Sequence, residues 1–87
     1  MTASAQVSVS TTAVRLIAGV LNETRQGAVH SSAAIYLGGD SSVTTATGYL
    51  LDTTGGNWLA VKLNPGEEIW AIKATGTATA YVLVSEL

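Results

Sequence analysis

The stretch that decides the fold is residues 57–84, NWLAVKLNPGEEIWAIKATGTATAYVLV. Its first part alternates. Leu59, Val61 and Leu63 fall on one side of an extended chain, and Trp58, Ala60 and Lys62 on the other. Successive strand side chains point to opposite faces, so this is the pattern of a half-buried strand. Asn64, Pro65 and Gly66 then make a turn, with proline at the second position, where its fixed φ fits. Glu67–Ala74 and Thr77–Leu87 flank Gly76 and are expected to close the fold as an antiparallel pair.

Working back toward the N-terminus, strand signals recur at short intervals. Gly48–Leu51 (GYLL) is a short strand that leads into a turn at DTTGG, residues 52–56. Ala28–Gly38 (AVHSSAAIYLG) reads as one or two strands, with a hairpin turn at Ser31–Ser32. Leu21–Gly27 (LNETRQG) is polar and reads as a loop, and Thr12–Val20 (TAVRLIAGV) as a strand, its β-branched residues and Gly19 disfavouring a helix. Gln6–Ser10 (QVSVS) alternates again, and residues 1–6 read as a flexible N-terminal arm. No helix-length amphipathic segment with caps competes. The expected fold is all-β: a small antiparallel β-sandwich or barrel of about seven or eight short strands.

Several of these strands are apolar on both sides. In Glu67–Ala74, Ile69 and Ala71 oppose Trp70 and Ile72; in Thr77–Val84, Tyr81 and Leu83 oppose Val82 and Val84. A strand that is apolar on both faces needs cover on both. One 87-residue domain has few strands to spare, so the second face is expected to pack against another subunit.

Composition agrees. Charged residues make up 11% of the chain, against about 25% in ordinary soluble domains, while 47% is apolar. A surface of Ser, Thr, Ala and Gly loses less on burial than one of Lys and Glu. There is no cysteine and only one histidine, His30, so neither a disulfide framework nor a zinc site compensates for the small core. Oligomerisation is the remaining common means. The four cations, Arg15, Arg25, Lys62 and Lys73, are dispersed and form no basic stripe, which argues against nucleic acid as partner. No apolar run of membrane-spanning length occurs, and the first ten residues lack the charged and apolar regions of a secretory signal, so no membrane partner is expected.

The glycine-rich loop between Ile35 and Leu51 invites a ligand reading and fails its tests. No lysine follows Gly48, and the spacing from Gly38-Gly39 to Gly48 does not match a dinucleotide fingerprint. Asp40 has its nearest acidic neighbour, Asp52, twelve positions away, too sparse for calcium; an Asx-type turn is the expected role. His30 and Ser31 are strand neighbours facing opposite ways, and so are Glu67 and Glu68, so neither pair forms an acid–base or nucleophile–base arrangement. No catalytic, cofactor or metal residue is assigned. Asn22-Glu23-Thr24 is a formal glycosylation triplet of a kind that arises by chance. The candidate residues are those of an interface: Trp58 and Lys62 on the far side of their strand from the core; Tyr49; Ser41, Ser42, Thr44, Thr45 and Thr47 in the loop; and Trp70. Trp and Tyr are typical interface anchors, although a tryptophan here could equally cover the open end of a small sandwich.

The order of these segments resembles that of small β-rich virion proteins of tailed bacteriophages, which include capsid decoration (head-stabilising) proteins and head-fibre mounting domains. The similarity lies in TTAVRL (11–16), IYLGG (35–39), VTTATGYLL (43–51) and PGEEIWAI (65–72), followed by a Thr/Ala/Val-rich closing strand, and it spans Val7 to Val84. Family members often carry proline where Leu50 stands, a departure that affects the turn after Gly48. The resemblance implies a β-sandwich or jelly-roll-like domain, non-enzymatic and without cofactor. It further implies a homo-oligomer, a trimer at local threefold sites, that binds the major capsid protein on the virion exterior after synthesis in the host bacterial cytoplasm. Another virion module, such as a fibre base, a neck or tail component, or a receptor- or carbohydrate-binding domain, is the alternative.

Overall fold

A computed structural model of the chain describes residues 3–21, 23–52 and 58–86. Eight strands run in order: β1 (Ala3–Val9), β2 (Val14–Ile17), β3 (Arg25–Ser31), β4 (Ile35–Gly38), β5 (Tyr49–Leu51), β6 (Trp58–Leu63), β7 (Ile69–Ile72) and β8 (Ala78–Glu86). They form two antiparallel sheets of four, β1-β8-β3-β6 and β2-β7-β4-β5. The first strand pairs with the last, the second with the seventh, the third with the sixth, and the fourth with the fifth. The chain is thus one long hairpin whose tip is the β4–β5 loop. Rolling it up adds the pairs β3–β8 and β4–β7. Eight strands wound in this way are a jelly roll, in agreement with the sequence reading.

The core lies between the sheets and follows the alternation of each strand. Val9, Val29, Leu63, Ala78, Ala80 and Val82 come from the first sheet, and Leu16, Ile17, Ile35, Leu37, Leu51 and Ala71 from the second. In β2 the register advances by two residues, Arg15 to Ile17, while β7 advances by one, Trp70 to Ile69. This bulge lets the adjacent Leu16 and Ile17 both enter the core, against strict alternation. Ser31 is the one buried polar residue of the described core, and its Oγ accepts the Ala33 amide at 3.4 Å.

Four expectations change. Only β4 and β5 are joined within a sheet; every other connection crosses the sandwich. Ile69–Ile72 and Ala78–Glu86 are therefore not a closing pair: they lie in opposite sheets on either side of the Gly76 bend. Likewise Ser31–Ala34 carries the chain from one sheet to the other, with no hairpin; the Ser32 amide donates to the Thr79 carbonyl at 2.9 Å and the Ser32 Oγ accepts from the Thr79 amide at 3.0 Å. The expected polar loop at 21–27 ends early. Arg25–Gly27 already belong to β3, with Gly27 packed beneath Ile17 and the Arg25 guanidinium donating to the Ala18 carbonyl. Residues 3–6, read as an arm, form the first half of β1, from Ala3↔Val84 to Gln6↔Tyr81. The expected turn at DTTGG falls on residues outside those described, apart from Asp52, and so does the asparagine of the 22–24 triplet.

Asn64–Glu67 is a type II turn: the Glu67 amide donates to the Asn64 carbonyl at 3.0 Å and Gly66 adopts φ 84°. The Gly66 amide donates to the Val20 carbonyl at 3.0 Å, tying this turn to the β2–β3 connection.

Candidate interaction surface

The core takes one face of the β1-β8-β3-β6 sheet and leaves the other to solvent. Register fixes what stands there. One row crosses all four strands as Gln6, Tyr81, His30 and Trp58, through the pairs Gln6↔Tyr81, His30↔Tyr81 and His30↔Trp58. The next row is Ser4, Leu83, Ala28 and Ala60. Trp58 is 64% exposed, Leu83 50% and Tyr81 42%, which makes this face apolar at its centre. The His30 and Tyr81 rings stack with centroids 6.0 Å apart, so His30 is held within the row.

Two shallow grooves follow from this relief. One, of about 600 Å³, runs between Gln6, His30, Trp58 and Tyr81. The other, of about 530 Å³, lies on the far side of Leu83, bounded by Gln26, Ala60, Lys62 and Ser85. Among the described residues, Lys62 is the one Lys, Arg, Asp or Glu bordering either groove. An apolar centre with a polar, nearly uncharged rim is the composition of a protein interaction surface.

The sequence candidates do not share one face: Trp58 and Lys62 lie on one sheet's outer face, Trp70 on the other's, Tyr49 on the side of β5 that carries Leu51, and the rest in the β4–β5 loop. Trp58 and Lys62 stand on the surface just described. Trp70 lies on the outer face of the opposite sheet, half-buried, paired across the ladder with Arg15. Its Nε1–H donates to Glu68 at 2.8 Å, and Arg15 approaches the same carboxylate at 3.7 Å. Glu67 instead closes the turn, accepting the Asn64 amide at 2.7 Å. Tyr49, 61% exposed, belongs to the edge strand β5 of that sheet. Tyr81, Leu83 and His30, which sequence reasoning did not select, complete the surface around Trp58. Their signal was the alternation of Tyr81 and Leu83 with Val82 and Val84, but without the topology neither side could be ranked as outer.

The hydroxyl-rich loop folds on itself. Asp40 accepts from both the amide and the hydroxyl of Ser42. These bonds hold its carboxyl below the usual aspartate range, the side-chain bond contributing most. Thr44 and Thr47 are joined through their hydroxyls at 3.0 Å, and the Thr44 carbonyl accepts the Gly48 amide at 2.8 Å. Val43 is the buried member of this loop and packs on Gly38, on the outer side of β4. Ser41, Ser42, Thr44, Thr45 and Thr47 stay exposed around it. The loop is thus built from its own hydrogen bonds and one apolar plug.

Among the described residues, no three His, Cys, Asp or Glu side chains gather into a metal-binding group. Ser31 is buried while His30 faces the outer row, so the two do not meet. Among the described residues, no helix is long and apolar enough to cross a membrane. Compared with known proteins, the chain matches no family model and no curated protein.

Proposed function

We propose that this chain is a capsid decoration protein of a tailed bacteriophage, a homo-oligomer that binds the outer shell and joins neighbouring capsomers. The observation that carries the reading is the apolar outer face around Trp58, Tyr81 and Leu83 on a domain with so few charges. The segment order quoted above, which resembles that of such proteins, supplies the partner: the major capsid protein.

The magnitudes favour a multivalent binder. The three exposed side chains hold roughly 300 Å² of unburied surface. At about 25 cal/mol per Å², covering it yields on the order of 7 kcal/mol. Association costs about 4–15 kcal/mol in lost freedom. One domain alone therefore binds weakly, and an oligomer that engages several capsomers at once gains through effective concentration. Binding only the assembled shell then stabilises that shell by mass action.

The test is direct. Purified protein is added to capsids lacking it, and occupancy is read by cryo-EM for the native chain and for Trp58→Ala. Occupancy at hundreds of copies, reduced by the substitution, supports decoration; absence of binding sinks it. A second reading, a vertex or tail module that binds a neutral glycan, draws on the groove in which Gln6 and His30 adjoin the Trp58 and Tyr81 rings. A handful of copies per virion, with saturable glycan binding lost in Trp58→Ala, would favour it.

A further inference from the structure

The four sheet edges are not equivalent. β2 is short, bulged at Leu16 and carries Arg15. β5 has three residues. β6 carries Lys62 and ends two residues before Pro65. Shortness, bulges, charge and proline are the devices that keep a sheet edge from pairing with another chain. β1 has none of them. It is seven residues long, ASAQVSV, without charge or proline, and pairs with β8 through seven consecutive positions with no shift in register. Among the described residues no strand lies beyond it. Its first four residues, Ala3–Gln6, are exposed on both faces.

We infer that β1 is a pairing edge for a second copy of this chain, β1 meeting β1 antiparallel about a twofold axis so that two four-stranded sheets become one of eight. An edge of outward N–H and C=O groups is satisfied by another extended strand. A second copy fits for three reasons. Antiparallel self-pairing sets only small or uncharged side chains opposite one another, so no like charges meet across the seam. The twofold contact is self-complementary and closes at two copies. The other edge of the same sheet, β6, is guarded by Lys62 and makes the poorer acceptor. Strand pairing alone falls short of the roughly 1,000 Å² of a stable interface, so the dimer forms reversibly as concentration rises. The outer rows would continue across the seam through Ser4 and Gln6, joining the two apolar faces. This inference stands on the edges and is independent of any capsid.

Sedimentation equilibrium on the purified chain tests it. A monomer–dimer equilibrium is expected, with dimerisation weakened about tenfold or more in Ser4→Lys/Gln6→Lys, which sets like charges at the seam. Those positions are exposed, and an unchanged thermal melt checks that the variant remains folded. Because the chain has no cysteine, single substitutions Ser4→Cys, Gln6→Cys and Ser8→Cys report the register. Only the position nearest the twofold axis crosslinks to itself. A chain that stays monomeric, a dimer indifferent to the lysines, or a head-to-tail contact in which Gln6→Cys crosslinks to Lys62→Cys would each overturn it.

Discussion

Val43 lies against the α-carbon of Gly38: a β-carbon added to that glycine would stand 2.6 Å from the Cβ of the valine. The two residues belong to different parts of the β4–β5 hairpin, the glycine to the strand and the valine to the loop that folds back over it. Gly38→Ala forces the loop off its sheet and should cost about 1–3 kcal/mol in denaturant unfolding. Gly39→Ala, which meets nothing within 4 Å, is the control and should stay within about 0.5 kcal/mol. Val43→Ala would leave the Cβ in place, whereas Val43→Gly removes both atoms that stand at 2.6 Å, so Gly38→Ala/Val43→Gly should destabilise by less than the sum of its parts. Full additivity would show that the contact is not what fixes the loop.

A second glycine is required for a different reason. Gly66 adopts φ 84° at the third position of the turn between β6 and β7, a conformation that costs other L-residues about 1–2 kcal/mol. Gly66→Ala should lose that much stability, and Gly66→Asn less, since asparagine tolerates the left-handed region better. The space there is open enough, with Leu21 Cδ2 at 3.5 Å from an added methyl, that crowding does not confuse the result. Equal effects of Ala and Asn would contradict the assignment to backbone strain.

The two tryptophans should separate stability from association. Trp58 is 64% exposed, so Trp58→Ala should change unfolding free energy by no more than about 0.5 kcal/mol while reducing any binding through the outer face. Trp70 is half-buried and donates to Glu68, which also meets Arg15. Trp70→Phe keeps most of the ring packing and loses that bond, an expected cost of about 1 kcal/mol. Paired denaturation and binding measurements on both variants decide the matter. A Trp58→Ala protein that unfolds readily would mean that this ring belongs to the fold and not to a surface.

What the sequence disclosed and what it hid have a common physical origin. Period-two alternation identifies the two sides of a strand, and for β6 it placed Leu59, Val61 and Leu63 inward and Trp58, Ala60 and Lys62 outward, as observed. The NPG turn was legible because proline and glycine fix their own dihedral angles. Alternation says nothing about which strand lies alongside. Ile69–Ile72 and Ala78–Glu86 adjoin in sequence yet part at Gly76 into opposite sheets, while Ala3 finds Val84 near the other end of the chain. Because Tyr81 and Leu83 lie on a strand apolar on both sides, they could not be grouped with Trp58 until the β3–β8 and β3–β6 registers brought them together. Residues 1–6 looked like an arm because small polar residues suit an edge strand and a free terminus equally well.

Asp40 supplies a prediction that depends on pH. Its carboxylate accepts from the hydroxyl and the amide of Ser42, and both bonds favour the ionised form, so its pKa in the folded chain lies below the usual value of about 3.9. A carboxyl whose pKa is depressed by folding contributes stability that is present above its unfolded pKa and is lost as pH falls through the folded value. The loop should therefore hold its geometry throughout the neutral range and loosen only at strongly acid pH. An NMR titration of the Asp40 carboxyl carbon should give a midpoint below that of an unstructured aspartate. Ser42→Ala removes the larger contribution and leaves the backbone bond, so the midpoint should rise part of the way back. Ser42→Gly should behave in the same way, which would assign the effect to the hydroxyl. Because the carboxyl is fully exposed, the core signals of Val9, Val29 and Ile35 should not move with it. A midpoint at the ordinary value, or one unaffected by loss of the Ser42 hydroxyl, would mean that Asp40 does not organise the tip of the hairpin.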